Sequence, residues 1–128
     1  DNFHQVFDSS KIPGQIIDTL SMRKSVLDKH PELINKLHRV WDLALQYARK
    51  HPQESYKIMA LREGISSDEF SAGLQGLQLM DSQTQLKQFS TGDKLENNMQ
   101  LACKVLYQAG TLGGNCNNLE TLVLNGFR

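Results

Sequence analysis

The sequence places one carboxylate and two hydroxyl groups side by side at Asp8, Ser9 and Ser10, and it carries a further carboxylate at Asp18. A Pro-Gly pair at positions 13 and 14 lies between them and can bend the backbone tightly. Such side chains can hydrogen-bond a small polar molecule. Asp and Ser are also the ordinary residues of turns, so a ligand site at Ser9, Ser10 and Asp18 and a plain turn both remain open.

Other chemistry is scarce in the sequence. The four histidines show no metal-ligand spacing, and two of them only precede prolines: His4, His30, His38 and His51. No nucleophile elbow, dinucleotide fingerprint or phosphate loop is present. We therefore predict no catalytic residue, no metal and no cofactor.

The two cysteines, Cys103 and Cys116, are 13 residues apart, which matches no short zinc or redox spacing. In an oxidising compartment they could join the last long helix to the tail. Two unpaired thiols are an equally good interpretation at this point.

Composition narrows the class of protein. The chain has 128 residues, 39% of them hydrophobic, and its 14 basic residues balance 14 acidic ones. A chain of this length and composition can form one globular domain. Because its net charge is zero, it has no overall electrostatic attraction for nucleic acid. No apolar run approaches the roughly 18 residues that span a bilayer. A small molecule or a protein is the favoured partner.

The predicted secondary structure changes from strands to helices near residue 30. Residues 3–7 alternate apolar and polar side chains, and residues 15–22 are apolar after the Pro-Gly turn, so both predict strands. Helix signals follow. Prolines at 31 and 52 suit helix starts, Gly64 suits a helix end, and Ser66 with Glu69 has capping-box spacing.

The longest helices are predicted over residues 31–50 and 93–109, the second with Asp93 and Glu96 at its start. Trp41 lies within the apolar stripe of the first and is predicted to be substantially buried. The apolar stripes look broad enough to be covered by packing against one another. Residues 77–89 mix apolar and turn residues, with room for a single helical turn.

Several short sequence motifs occur along the chain in an order that resembles a known protein family. They are D-S-S-x-I-P-G-x-I-x-D-x-L at 8–20, Arg23, K-H-P-E-L-I-N-K-L at 29–37, H-P-Q-E-S at 51–55, G-I-S-S-D-E-F at 64–70 and Y-Q-A-G-T-L at 107–112. The combination resembles the C-terminal part of the solute-binding proteins of nitrate/sulfonate/taurine-type ABC importers. That group also includes binding proteins for thiamine-pyrimidine precursors.

The resemblance implies an α/β fold, namely the helix-rich portion of a two-lobed periplasmic-binding-protein (type II) fold. Residues 1–128 would be a single C-terminal segment of the solute-binding domain. Within it, 1–22 supply strands and a segment crossing between lobes, 23–112 a helical body and 113–128 a tail. The strands' usual sheet partners would lie upstream of residue 1, so strand edges are predicted to drive self-association.

The resemblance also implies a function without enzymatic activity. Ser9 and Ser10 match a polar turn near the ligand cleft, and Asp18 matches an acidic position near the hinge. The partners would be a small-molecule solute and an ABC importer permease or membrane sensor. The protein would lie in the periplasm or outside the cell, with or without a membrane anchor, where Cys103 and Cys116 tend to pair.

Two alternatives belong to other classes. One is a helical protein-interaction module, which needs an exposed apolar helix face. The other is a relative of the enzymes that make the thiamine pyrimidine with a cysteine-rich motif and a histidine. Neither Cys103 nor Cys116 lies in a cysteine cluster.

Overall fold

A computed structural model describes residues 3–89, 94–117 and 119 of the chain. These residues form one short 3-10 helix and six α-helices. In chain order they are the 3-10 helix Ser9–Lys11, then α1 Lys24–Lys29, α2 Leu33–Lys50, α3 Pro52–Glu63, α4 Ser67–Leu74, α5 Ser82–Phe89 and α6 Lys94–Gln108. The chain divides into two compact units, Asp1–Leu79 and Met80–Arg128.

The predicted α/β fold is wrong, because the described residues contain no strand and no sheet. Residues 3–7 and 15–22 are non-helical, and their large apolar side chains are mostly exposed, among them Phe3, Val6, Ile16 and Leu20. Strand preference reflects packing against neighbouring strands, and an isolated pair of strands is marginal in water. Apolar alternation alone was therefore not sufficient to form strands here.

In the first unit, α3 packs against both α2 and α4. Only His51 separates α2 from α3, and Pro52 occupies the first position of α3, where a missing N–H costs no hydrogen bond. Pro31, in contrast, precedes α2, which begins two residues later at Leu33. Gly64 ends α3 in the left-handed conformation, with φ of 72°.

The start of α4 is a capping box, as its sequence predicts. The Ser66 hydroxyl accepts the N–H of Glu69 at 3.2 Å, and the Glu69 carboxylate accepts the N–H of Ser66 at 2.8 Å. Tyr56 of α3 and Phe70 of α4 face each other with ring centroids 6.1 Å apart. Capping and ring packing together fix α4 on α3.

The buried core is small. Among the described residues, the buried apolar side chains are Leu45 of α2, Ala60 of α3 and Cys103 of α6. Trp41 is 40% exposed, so the prediction that it is substantially buried is wrong. Trp41 lies one turn before the buried Leu45 on the same side of α2, farther from the α2–α3 junction, where the side of the helix is only partly covered.

In the second unit, α5 packs against α6. Asp81 begins α5, since its carboxylate accepts the N–H of Thr84 at 2.9 Å. Residues 77–89 thus contain an eight-residue helix rather than a single turn. The predicted start of the last helix at Asp93 lies outside the described residues. After α6, Gly110 has φ of 69°, and the Leu106 carbonyl accepts the N–H and the hydroxyl of Thr111.

Candidate functional site

The polar turn at Asp8 is well organised. The Asp8 carboxylate accepts the backbone N–H of Ser10 at 2.8 Å, and it also accepts the side-chain amide of Gln5. Hydrogen bonding from the Ser10 side chain and backbone holds the pKa of Asp8 below its ordinary value. Two backbone hydrogen bonds, from Lys11 to Asp8 and from Ile12 to Ser9, complete the turn.

The turn exposes Ser9 and Ser10 to solvent. From the sequence, Asp8 was recognised only as part of the polar cluster. In the structure Asp8 orders this cluster, because its carboxylate accepts the N–H of the residue two positions later, a common arrangement for Asp in turns. The structure thus places two hydroxyl groups on a defined 3-10 turn. Asp8 contacts Ser10, and both serines are exposed to solvent.

Asp18 is also exposed and lies in the non-helical segment that follows the turn. Within the described part of the chain, no hydrogen bond joins Asp18 to Ser9 or Ser10. The three predicted ligand residues therefore share a segment but form no single hydrogen-bonded cluster.

A depression lies elsewhere, in the second unit. It is an open depression of about 240 Å³ lined by Lys104, Tyr107, Gln108, Asn115 and Cys116. An ammonium group, a phenol and two amides can hydrogen-bond a small polar molecule there. The depression leaves such a molecule largely in water, whereas ligand pockets normally bury most of their ligand.

Cys103 and Cys116 form a disulfide, with their Cα atoms 5.8 Å apart. Cys103 lies on α6 and Cys116 in the loop that follows, so the bond ties this loop to the helix. Both cysteines of the sequence are used in this bond, and none remains as a thiol.

No set of three or more metal-binding side chains converges anywhere in the described residues. The same part of the chain contains no helix that is both long and apolar enough to cross a membrane.

The feature that the sequence interpretation missed is an exposed apolar surface on α2 and α3. We define the α2–α3 apolar face by five residues: Val40, Leu43 and Tyr47 of α2, with Ile58 and Leu61 of α3. All five are exposed, from Leu61 at 82% and Val40 at 62% to Tyr47, the least exposed. The expectation that packing covers the apolar stripes is therefore wrong. The signal was present, because residues 40, 43 and 47 repeat at helical spacing away from Leu45.

A hydrogen bond from Tyr47 links α2 to α3. The Tyr47 hydroxyl donates to the Glu54 carboxylate of α3 at 3.0 Å, and this bond raises the pKa of Tyr47. Tyr47 also stacks against His51, with ring centroids 4.6 Å apart. These contacts lie at the one-residue junction and link the end of α2 to the start of α3.

Comparison of the chain with known protein families, with characterised proteins and with solved structures gives no significant match.

Proposed function

We propose that this chain is part of a solute-binding protein that captures a small molecule for ABC-type import or for sensing. The proposal rests on the ordered sequence motifs and on one structural observation. The Asp8 turn, which the resemblance puts near the ligand, holds the backbone at Ser9 and Ser10 in an ordered turn and leaves both residues exposed. Pre-ordered donors lose little conformational freedom when they bind a ligand.

The solute would be a small polar molecule of the kind that the resembled group binds: nitrate, a sulfonate such as taurine, or a thiamine-pyrimidine precursor. Ser9 and Ser10 would donate or accept hydrogen bonds, and Asp18 would contribute a carboxylate. Most of the remaining ligand contacts would come from segments that are not in this sequence. The 128 residues alone should therefore bind the solute weakly.

The proposal includes a location and a membrane partner. A disulfide persists in an oxidising space, so the Cys103–Cys116 bond supports the periplasm or the cell exterior. The partner there would be an importer permease or a membrane sensor.

A ligand screen on the intact source protein tests the proposal. Thermal shift is recorded with nitrate, taurine and a 4-aminopyrimidine, and any stabilising compound is titrated by calorimetry. Ser9→Ala and Asp18→Asn should weaken binding, whereas Ser21→Ala, an exposed serine outside the turn, should not. If no compound of the three classes stabilises the protein, or if the Ser9 and Asp18 variants bind as tightly as the original, solute capture at this turn is wrong.

A helical protein-interaction module is the second candidate, and the α2–α3 apolar face favours it. Large side chains such as Ile58, at 59% exposure, are candidates for burial by another protein. The enzyme alternative has less support, since it needs reactive cysteines and both cysteines are held in the disulfide.

A further inference from the structure

We propose that Cys116 is a site of reversible modification by a small anionic thiol, which opens the Cys103–Cys116 disulfide from the depression beside it. The thiol belongs to the class of peptide thiols with free carboxylates. The inference goes beyond solute capture and does not depend on it, because the Asp8 turn lies in the first unit and the disulfide in the second.

The two sulfur atoms of the disulfide differ in access. Cys103 lies within α6 and is only 8% exposed, whereas Cys116 is half-buried in the loop that follows. Cys116 also lines the depression of about 240 Å³, and Cys103 does not. Exchange between a thiol and a disulfide depends on which sulfur the attacking thiolate reaches. A thiol that arrives from solvent therefore meets Cys116 first.

The polar lining of the depression suits an anionic peptide thiol. Lys104, Tyr107 and Gln108 are three and four residues apart, so they lie on one side of α6, and Asn115 directly precedes Cys116. The described residues that line the depression include no carboxylate, and in the same part of the chain Lys104 has no ion pair. Its ammonium group attracts a carboxylate, and the two side-chain amides match the amides of a peptide.

The open shape of the depression favours a covalent ligand over a non-covalent one. Ligand pockets are normally larger than this depression and enclose most of their ligand. Contacts alone would hold a small thiol only weakly here. A bond to Cys116 removes that limit, because the bound thiol then leaves only when another sulfur displaces it.

The exchange step is balanced within the pair of reactants. The small thiol loses its proton to water, and its thiolate attacks Sγ of Cys116. As this bond forms, the bond between Cys103 and Cys116 breaks, and its electron pair leaves on Sγ of Cys103, which takes a proton from water. The small thiol is oxidised to the mixed disulfide, and Cys103 is reduced. Attack by Cys103 on Cys116 reverses the step, but burial disfavours the thiolate form that this attack needs.

The test uses the 128-residue chain with its disulfide intact and three small thiols of different charge. Glutathione is the anionic probe, β-mercaptoethanol the neutral one and cysteamine the cationic one. N-ethylmaleimide, added with denaturant, stops the reaction at timed points, and peptide mass spectrometry shows which cysteine carries each group. We expect glutathione on Cys116 and maleimide on Cys103, in at least about tenfold excess over the opposite arrangement.

A charge reversal in the depression tests how the thiol is selected. Lys104→Glu should slow the reaction of glutathione by about fivefold, leave that of β-mercaptoethanol unchanged and speed that of cysteamine. Lys87→Glu is the matched control, because Lys87 is an exposed lysine of α5 in the same unit and does not line the depression. At about 0.15 M salt, where distant charges are screened, it should change none of the three rates. Circular dichroism verifies that both variants keep their helices.

Four results would overturn the inference. They are no mixed disulfide with glutathione, an adduct mainly on Cys103, equal slowing of all three thiols in Lys104→Glu, and an equal effect of Lys87→Glu. Equal slowing would mean that the substitution alters the loop rather than the selection of the thiol. The solute screen measures stabilisation by a non-covalent ligand, so either proposal can fail alone.

Discussion

At the scale of single residues, short polar side chains decide where the helices begin. Ser66 and Glu69 exchange two hydrogen bonds at the start of α4, and the Ser66 hydroxyl and the Glu69 carboxylate are also 2.6 Å apart. A helix start leaves backbone N–H groups without helical partners, and this exchange satisfies two of them. The α4 helix has only eight residues, so its cap contributes a large share of its stability.

Replacing Ser66 should therefore destabilise the chain. We expect Ser66→Ala to lower the free energy of unfolding by about 1 kcal/mol, the usual effect of losing a serine cap. Urea denaturation followed by circular dichroism measures it. Ser67→Ala is the control, since that serine makes no cap bond; an equal loss there would contradict the role assigned to the cap.

The capping box also predicts a pH dependence. Hydrogen bonds from the Ser66 side chain and backbone lower the pKa of Glu69 from its ordinary value of 4.5. Because the folded pKa is the lower one, this contribution is complete above about pH 4.5 and is lost as the pH falls through the folded pKa. Glu69→Gln can keep the box geometry without titrating. The stability difference between the original protein and Glu69→Gln should shrink on acidification, and a difference that stays constant with pH would refute this.

At the scale of helices, two glycines have opposite roles. Gly64 ends α3 with φ of 72°, which side-chain-bearing residues adopt at a cost, whereas Gly73 lies inside α4. A Cβ atom would meet nothing within 4 Å at either position, so sterics do not separate them. We expect Gly64→Ala to destabilise and Gly73→Ala to stabilise the chain, each by about 1 kcal/mol. Denaturant unfolding of both variants tests this, and a shift of the same sign in both would contradict it.

The disulfide constrains the end of α6. It closes a loop between residues 13 apart, and in the chain-entropy account a loop of this length contributes about 3 kcal/mol. Replacing both cysteines, as Cys103→Ala with Cys116→Ser, should lower the free energy of unfolding by about that amount. Thermal unfolding with and without reductant measures it. Reductant should affect only the original protein; an effect on the double variant would show that another cause is involved.

The sequence predicted helix boundaries best at residues whose backbone chemistry favours one local conformation. Pro52, Gly64 and the pair Ser66 and Glu69 each mark a helix boundary by backbone chemistry alone, and the structure has a boundary at each. The same holds for the Asp8 turn. Local chemistry needs no knowledge of distant contacts, which explains this success.

The errors arose where the outcome depends on what packs against a segment. Residues 15–22 are apolar enough for a strand, yet a strand requires a neighbouring strand, and the described residues supply none. Trp41 lies on the same side of α2 as the buried Leu45, but helical periodicity does not tell how far along the helix that side is covered. The contact that links Tyr47 to Glu54 crosses a helix boundary, so no spacing rule for a single helix could have found it.

At the scale of the whole molecule, much apolar surface stays in contact with water in the folded chain. Exposed large side chains occur throughout the described residues, including the α2–α3 apolar face and Leu101, Val105 and Tyr107 of α6. The heat capacity change of unfolding reports how much apolar surface folding removes from water. The heat capacity change of unfolding therefore measures directly how much apolar surface the folded chain leaves exposed.

We expect that heat capacity change to be low. A typical folded chain of 128 residues gives about 1.5–1.9 kcal/mol/K, and this chain should fall clearly below that range. Scanning calorimetry over a range of pH measures it, with sedimentation to show that the sample is monomeric. A monomer with the full value would mean that these side chains are buried, contrary to the structure.

The short connections between neighbouring helices, such as the single residue His51 between α2 and α3, have a consequence for how the chain folds. In the described residues, extensive helix packing occurs between helices that follow one another in sequence, as α2, α3 and α4 do. Such contacts need only short stretches of chain to close, and domains rich in local contacts fold in microseconds to milliseconds. A ribosome adds only about 5–20 residues each second. The helices from α2 to α4 can thus pack together while the ribosome is still adding the residues of the second unit.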